Sequence, residues 1–383
     1  MMSSVNLDDN DDTYASGQEP NEENSAISHA VITWKADSRV FSINYSINGG
    51  FKCLTRDTDM NIIKGPARAD RENVAEKNVF SVSEKPSNKM RLPIAMMPSG
   101  SLLAGFQVLT EEGKEDKHEI ILFEKNGLRH GQIELPSFSG HLPIVKKLRF
   151  NSDTTFLAAL IDFKGDRTVD NSIPPQQIII LHRSNYHWFI KRSIDLVENS
   201  EIVDFKWMQN KKNQMMIVDQ SANFSFYDFQ FVYQTSSDLS YRDFDNLSYT
   251  VNIDYTKALI TPFKKVVIPP PLAEKEIQLI EIPQTVCFYK NNLFLVFKSK
   301  VGFLNCETGD LQYLDFEYKG IAKSALFVES DSLSDGISGV LIVDTCVHNK
   351  KKDTLIELML KEVDGKLSIL KTHHQTSNKV YSW

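Results

Sequence analysis

The sequence predicts an all-β chain assembled from consecutive propeller blades. Three observations predict it. Apolar residues fall in short runs rich in Ile, Val, Leu, Phe and Tyr; few stretches carry an apolar stripe at helical spacing; and one hairpin pattern recurs down the chain. β-branched and aromatic enrichment in runs of roughly four to eight residues selects strands over helices. AVITW (Ala30 to Trp34), EIILF (Glu119 to Phe123), QIIIL (Gln177 to Leu181) and LFLVF (Leu293 to Phe297) are such runs.

Taken in order, residues 1–26 are rich in Asp, Glu, Asn and Ser and nearly free of large apolar groups. Such a stretch cannot bury enough surface to offset its ordering entropy, so it reads as a disordered acidic tail. Blades of a first propeller are expected over 27–265. The recurring hairpin is an apolar strand, a turn of Asn, Pro, Asp, Ser or Gly, and a strand of small apolar residues. It reads TWKADSRVFSI (Thr33 to Ile43), AMMPSGSLLAGF (Ala95 to Phe106), RFNSDTTFLAAL (Arg149 to Leu160) and KWMQNKKNQMMIV (Lys206 to Val218). Its anchors Trp34, Met97, Phe150 and Trp207 lie 63, 53 and 57 residues apart. A second hairpin follows each middle copy, EIILFEKNGLRHGQIEL from Glu119 and QIIILHRSNYHWFIKRSIDL from Gln177, with starts 58 residues apart. Four strands per repeat is the signature of a propeller blade of the WD40 type, whose usual period is ~40–45 residues. Polar insertions at Glu111 to Lys117, Lys164 to Pro175 and Asp57 to Lys89 account for the excess. A blade exposes apolar surface on both faces and is stable only between neighbours.

VVIPPPL (Val266 to Leu272) interrupts the pattern. Consecutive prolines give no N–H to a ladder and favour an extended conformation, so 266–275 is expected to be a rigid connector. Part of a second propeller is expected over 276–383. VCFYKNNLFLVFKSKVGFLNCETGDLQYLDF (Val286 to Phe316) reads as four strands, with Gly309 in the positive-φ position of its last turn. A polar loop over Ser330 to Ser338 and two further strand pairs complete the chain.

Composition excludes several classes of function. The chain has 383 residues, 41% apolar and 24% charged, as in an ordinary globular protein. A net charge of −7 gives no overall pull toward nucleic acid, so any such contact must be a local patch. Cys53, Cys287, Cys306 and Cys346 form no C-x-x-C pair and are expected to be buried, reduced thiols. No run approaches the ~20 apolar residues of a membrane span, and the N-terminus lacks a secretory signal, so the expected location is the cytoplasm, with the nucleus as a second compartment.

Several strings resemble, in order and spacing, the propeller region of the family of the largest, scaffold subunit of the Elongator complex. They are TWKADSRVFSI, MPSGSLLAGFQ, ILFEKNGLRHGQIELP, RFNSDTTFLAAL, NYHWFIKRSI and ALITPFKKVVIPPPL, and they cover about residues 28 to 275. Beyond about residue 280 only the blade pattern continues. Three departures stand out: Met97 occupies a place where the family often has tryptophan, the Asp57 to Lys89 insertion exceeds the family norm, and nothing corresponds to the family's helical solenoid or dimerising C-terminal region. A fragment of a longer product, or a reduced relative, is the expectation. The resemblance implies a non-catalytic scaffold that supports tRNA wobble-uridine modification. It implies as partners the other Elongator subunits, including the radical-SAM acetyltransferase subunit, to which any iron–sulfur and SAM cofactors would belong, with tRNA reached mainly through the complex. The competing readings are a different propeller scaffold, such as a vesicle-coat or ubiquitin-ligase adaptor, and a tRNA-contacting module.

The residues themselves predict no catalytic, cofactor or metal site. No phosphate loop, dinucleotide fingerprint or nucleophile elbow occurs, and Gly100 to Gly105 has the wrong spacing for the last. His182 and His187 flank a strand turn without a partner ligand at metal spacing. His373 and His374 read as part of a solvated loop, and Lys350 to Lys352 as an exposed turn. The one candidate nucleic-acid contact is Lys64, Arg68 and Arg71 in a Gly-Pro insertion. A solvated charged loop, with Asp70 and Glu72 offsetting it, is the weightier account. Trp34, Phe150, Trp207 and the Phe224, Phe226, Phe229, Phe231 run are expected to pack in the core rather than stack on bases.

Overall fold

The computed structural model describes residues 27–47, 50–57, 90–110, 112–113, 116–124, 129–136, 141–164, 175–195, 201–230, 249–262, 265, 272–289, 291–316, 318, 321–329, 336–347, 350–363 and 366–377. These residues hold strands and turns and no helix. The expected tail at 1–26 and the Pro269 to Pro271 run lie outside the described residues.

Among the described residues, seven antiparallel sheets follow one another along the chain. The first has β1 (Ile27–Trp34), β2 (Val40–Ile47) and β3 (Gly50–Asp57); the second β4 (Met90–Met96), β5 (Leu102–Leu109), β6 (Lys117–Glu124) and β7 (Arg129–Glu134). The third has β8 (Leu142–Phe150), β9 (Phe156–Lys164), β10 (Gln176–Ser184) and β11 (His187–Asp195); the fourth β12 (Ile202–Trp207), β13 (Gln214–Asp219) and β14 (Phe224–Asp228). The fifth has β15 (Tyr249–Asp254), β16 (Lys257–Pro262) and β17 (Lys275–Gln278); the sixth β18 (Thr285–Tyr289), β19 (Asn292–Val296), β20 (Lys300–Asn305) and β21 (Leu311–Asp315). The seventh has β22 (Ile321–Glu329), β23 (Gly336–Val347), β24 (Lys350–Val363) and β25 (Lys366–Ser377). Within every sheet the strands lie in chain order, which is the up-and-down meander of a propeller blade. The four hairpins read from the sequence are the first two strands of the first four sheets.

The chain divides into two compact units, Met1–Arg183 with Ser193–Phe229, and Ser184–Arg192 with Gln230–Trp383. In the first unit the leading strands of successive sheets touch: β1 meets β4, β4 meets β8, and β8 meets β12. In the second unit β18 meets β22. Packing runs through both faces of the inner blades because side chains alternate. In β9, Phe156, Ala158 and Leu160 join Ile178 and Ile180 of β10 against Ile202, Phe205, Trp207, Met215 and Ile217 of the fourth sheet. The intervening Leu157, Ala159 and Ile161 are also buried. In the second unit, Leu293 and Leu295 of β19 pack with Ala258 and Ile260 of β16, while Phe294 and Val296 pack with Ala322, Ala325, Ile356 and Leu358 of the seventh sheet. Burying each such side chain contributes about 1.5–3 kcal/mol, so neighbouring blades hold each other.

The turns repeat as well. Ser38 N donates to Lys35 O, Gly100 N to Met97 O and Thr154 N to Asn151 O, at 2.9, 2.7 and 3.3 Å. The three donors have φ of 58°, 73° and 67°. Gly309 has φ 88°, as its turn requires.

Three expectations need correction. His373 and His374 lie inside β25, paired with Glu357 and Ile356 of β24, rather than in a loop. Lys350 to Lys352 open β24 opposite Val347, Cys346 and Thr345 and are not a turn. Gly336 to Ser338 belong to β23, not to the preceding loop. In each case the polar residues extend a long two-strand ladder whose backbone pairing does not depend on apolar side chains.

Candidate functional site

A dense polar constellation lies in the first unit, where the β8–β9 turn meets the fourth sheet. Asn151 leaves β8 fully buried. Its Oδ1 accepts from Phe156 N at 2.9 Å, which closes the turn. Its Nδ2 donates toward Asp153 Oδ1 at 2.7 Å, Thr155 Oγ1 at 3.1 Å and, across to the β12–β13 hairpin, Lys212 O at 3.0 Å. Thr155 donates its hydroxyl to Asp153 Oδ1 at 2.6 Å, and Lys212 Nζ lies 3.2 Å from Asp153 Oδ2. Partial burial pushes the Asp153 carboxyl up, but the donors from Thr155, Lys212 and Asn151 outweigh it and hold the group below the usual carboxylate range.

One strand away, Trp207 donates its indole Nε1 to Arg149 O at 3.0 Å. Its ring stacks on Phe156 with centroids 5.6 Å apart and planes 15° apart, and meets Phe229 at 5.7 Å. Lys147 reaches Asp204 at 2.7 Å, and Arg149 reaches the same carboxylate at 3.4 Å. Beside them is a cavity of about 380 Å³ whose wall includes Lys146, Lys147, Gln176, Glu201, Val203 and Gln220. Gln176 donates to Asp162 at 2.8 Å and accepts from Ile202 N at 2.8 Å; Gln220 donates to Glu201; Lys146 lies 3.4 Å from Asp162. The polar groups of the wall thus already hold partners, in one another or in the neighbouring Asp162 and Asp204. This arrangement fastens blade to blade and presents no activated nucleophile, base or oxyanion donor pair.

The surface carries apolar groups where the sequence predicted core. Phe224 and Phe226 on β14 are 61% and 66% exposed, and Trp34 on β1 is 50% exposed. The expected core role is corrected for these three and holds for Trp207, which is buried. The cause is position. Tyr227 turns toward the packed face of the fourth sheet with Met215 and Ile217, so Phe224 and Phe226 point the other way. Trp34 lies at the end of β1, a terminal strand of its sheet, and covers Phe41, with ring centroids 4.6 Å apart. The Asp219 turn ahead of β14 is the expected hairpin, with Asp219 Oδ1 accepting from Asn223 N at 2.9 Å. Phe231 lies outside the described residues.

Lys64, Arg68 and Arg71 lie outside the described residues. His182 stands beside the Phe156 ring, centroids 5.4 Å apart, and His187 beside Phe189 at 6.4 Å. Among the described residues no three His, Cys, Asp or Glu side chains gather as a metal set, and no helix is long and apolar enough to cross a membrane. Burial pushes the thiols of Cys53, Cys287 and Cys306 up to about 12, which leaves them without thiolate at neutral pH. Sequence reading placed the NSDT turn but missed that Asn151 reaches Lys212, because that contact spans two hairpins.

Residues 7–210 match the model of the family described as the ELP1 first N-terminal beta-propeller. The chain is 26% identical over 381 residues to Elongator complex protein 1 of Saccharomyces cerevisiae, covering 92% of this chain and 25% of that protein. It is 30% identical over 251 residues to the putative elongator complex protein 1 of Xenopus laevis, covering 65% of this chain and 19% of that protein. It is 27% identical over 253 residues to the Schizosaccharomyces pombe protein of the same name, covering 65% of this chain and 16% of that protein. The chain thus spans a quarter or less of the length of these relatives.

Proposed function

The chain belongs to the ELP1 first N-terminal beta-propeller family, and from that premise we propose that it is a non-catalytic scaffold part of an Elongator complex. In this reading it supports modification of the tRNA wobble uridine by holding the catalytic radical-SAM acetyltransferase subunit and other subunits in place. The observation that carries the proposal is the family match over residues 7–210. The packing supports it: blades joined through apolar faces and through the Asn151, Asp153 and Lys212 seam form rigid surfaces suited to holding partners.

Affinity purification of the tagged chain from its own cells tests the reading. Recovery of the tRNA-modifying subunits is expected. Recovery of vesicle-coat or ubiquitin-ligase components without any tRNA-modifying subunit would replace it with the generic scaffold reading.

A further inference from the structure

Lys191 is a partly buried charge that the scaffold reading leaves unused. It lies in β11, in the Ser184–Arg192 segment that groups with the second unit. Its Nζ donates to Asn252 Oδ1 and, at 2.5 Å, to Ile253 O, and it stands 5.0 Å from the centroid of the Phe189 ring. Both hydrogen-bond acceptors are neutral. Among the described residues no carboxylate lies within ion-pair distance of this ammonium. Asp254 on β15 is the charge that faces it, and its Oδ1 accepts from Ile190 N at 2.8 Å. Lys257 on β16 and Glu276 on β17 act in turn on Asp254. Tyr255 N donates to Ile190 O at 2.8 Å. The segment is therefore clasped to β15 through Ile190 and Lys191 together.

An ammonium drawn partly out of water and hydrogen-bonded to neutral acceptors loses hydration that the facing Asp254 only partly offsets. A neutral amine keeps two N–H donors, one for each acceptor. We propose that the contact of Ser184–Arg192 with β15 is a proton-sensitive latch, closed more tightly when Lys191 is uncharged.

Burial lowers Lys191 from 10.5 to about 8, against the pull of Asp254, whose own carboxyl burial raises. The closed latch then binds fewer protons than the open one between pH 8 and 10.5, so closure strengthens as pH rises through that window. Between pH 7 and pH 9 the closing equilibrium gains about tenfold.

Amide hydrogen exchange on the intact chain, corrected for the intrinsic effect of pH, reads this at Ile190 and Tyr255, whose N–H groups close the clasp. About tenfold more protection at pH 9 than at pH 7 is expected. Lys191→Arg should abolish the rise, because a guanidinium does not shed its proton. Asp254→Asn keeps the acceptor for Ile190 N, removes the facing charge, and should shift the rise to lower pH. Unchanged or falling protection in the wild type overturns the latch. So does an equal rise in Lys191→Met, or an equal rise at Leu295 in β19, which would belong to the whole unit. The wild-type profile and Asp254→Asn decide the matter even if both Lys191 variants fold poorly.

Discussion

Trp207 and Arg149 sit on neighbouring sheets of the first unit, and the indole of one donates to the backbone carbonyl of the other across 3.0 Å. The contact joins β12 to β8 at the point where the Trp207 ring also covers Phe156. Polar and apolar cohesion between two blades thus converge on one side chain.

Replacing Trp207 by Phe should keep the stacking and lose the hydrogen bond. A loss of about 1–2 kcal/mol is expected, while Trp207→Ala should cost about 3–5 kcal/mol. Urea unfolding of the two variants measures both; a Trp207→Phe cost near zero would show that the indole N–H contributes nothing, and equal costs that the ring stacking contributes nothing.

Asn151→Ala should be costly for its size. It removes the acceptor for Phe156 N and the bridge to Lys212 O from a site with no solvent to replace them. About 2–3 kcal/mol of destabilisation is expected. Thermal unfolding checks it, and a cost under about 0.5 kcal/mol would mean that the seam contributes little.

The repeated turn predicts that adding a Cβ at its positive-φ position costs stability and that removing one gains it. Gly100 has φ 73°, and a Cβ there would meet Lys35 Cδ at 2.9 Å. Gly100→Ala should destabilise by about 1 kcal/mol. Thr154, at φ 67° in the equivalent place, carries that strain already. Thr154→Gly should stabilise by up to about 1 kcal/mol, less the extra freedom of the unfolded chain. Paired thermal melts settle the signs.

Asp153 gives an acid dependence. Its folded carboxyl titrates below the unfolded value of 3.8. It therefore contributes stability above that value and loses the contribution as pH falls through the folded one. Asp153→Asn should be less stable than the wild type at pH 7, and the gap should narrow below about pH 4. A constant gap from pH 7 to pH 3 would remove this account.

Phe224 and Phe226 predict little change in stability and a large change in surface. Because both are mostly exposed, Phe224→Ser with Phe226→Ser should shift unfolding by no more than about 0.5 kcal/mol. Binding of a hydrophobic dye should fall measurably. A loss of several kcal/mol would show that these rings are covered.

Much of the architecture was legible in the residues. Four hairpins recurring from Trp34 to Trp207, and the four strands from Val286 to Phe316, appear in place because alternation and turn chemistry are local signals. The buried anchor Trp207 follows the same logic. Phe224 and Phe226 break it. Alternation puts them on one face but does not say which face meets a neighbour. His373 and His374 break it too, since their strand is held by pairing with β24 rather than by an apolar pattern.

The sequence by itself determined the all-β class, the meander order within the blades and the positions of the repeated turns, because each depends on residues close in the chain. Only the tertiary structure decided that Asn151 reaches Lys212, that Trp207 reaches Arg149 and that Lys191 reaches Asn252 and Ile253. Those contacts join residues about 60 positions apart, and their energies come from desolvation and geometry that exist only after the sheets have packed.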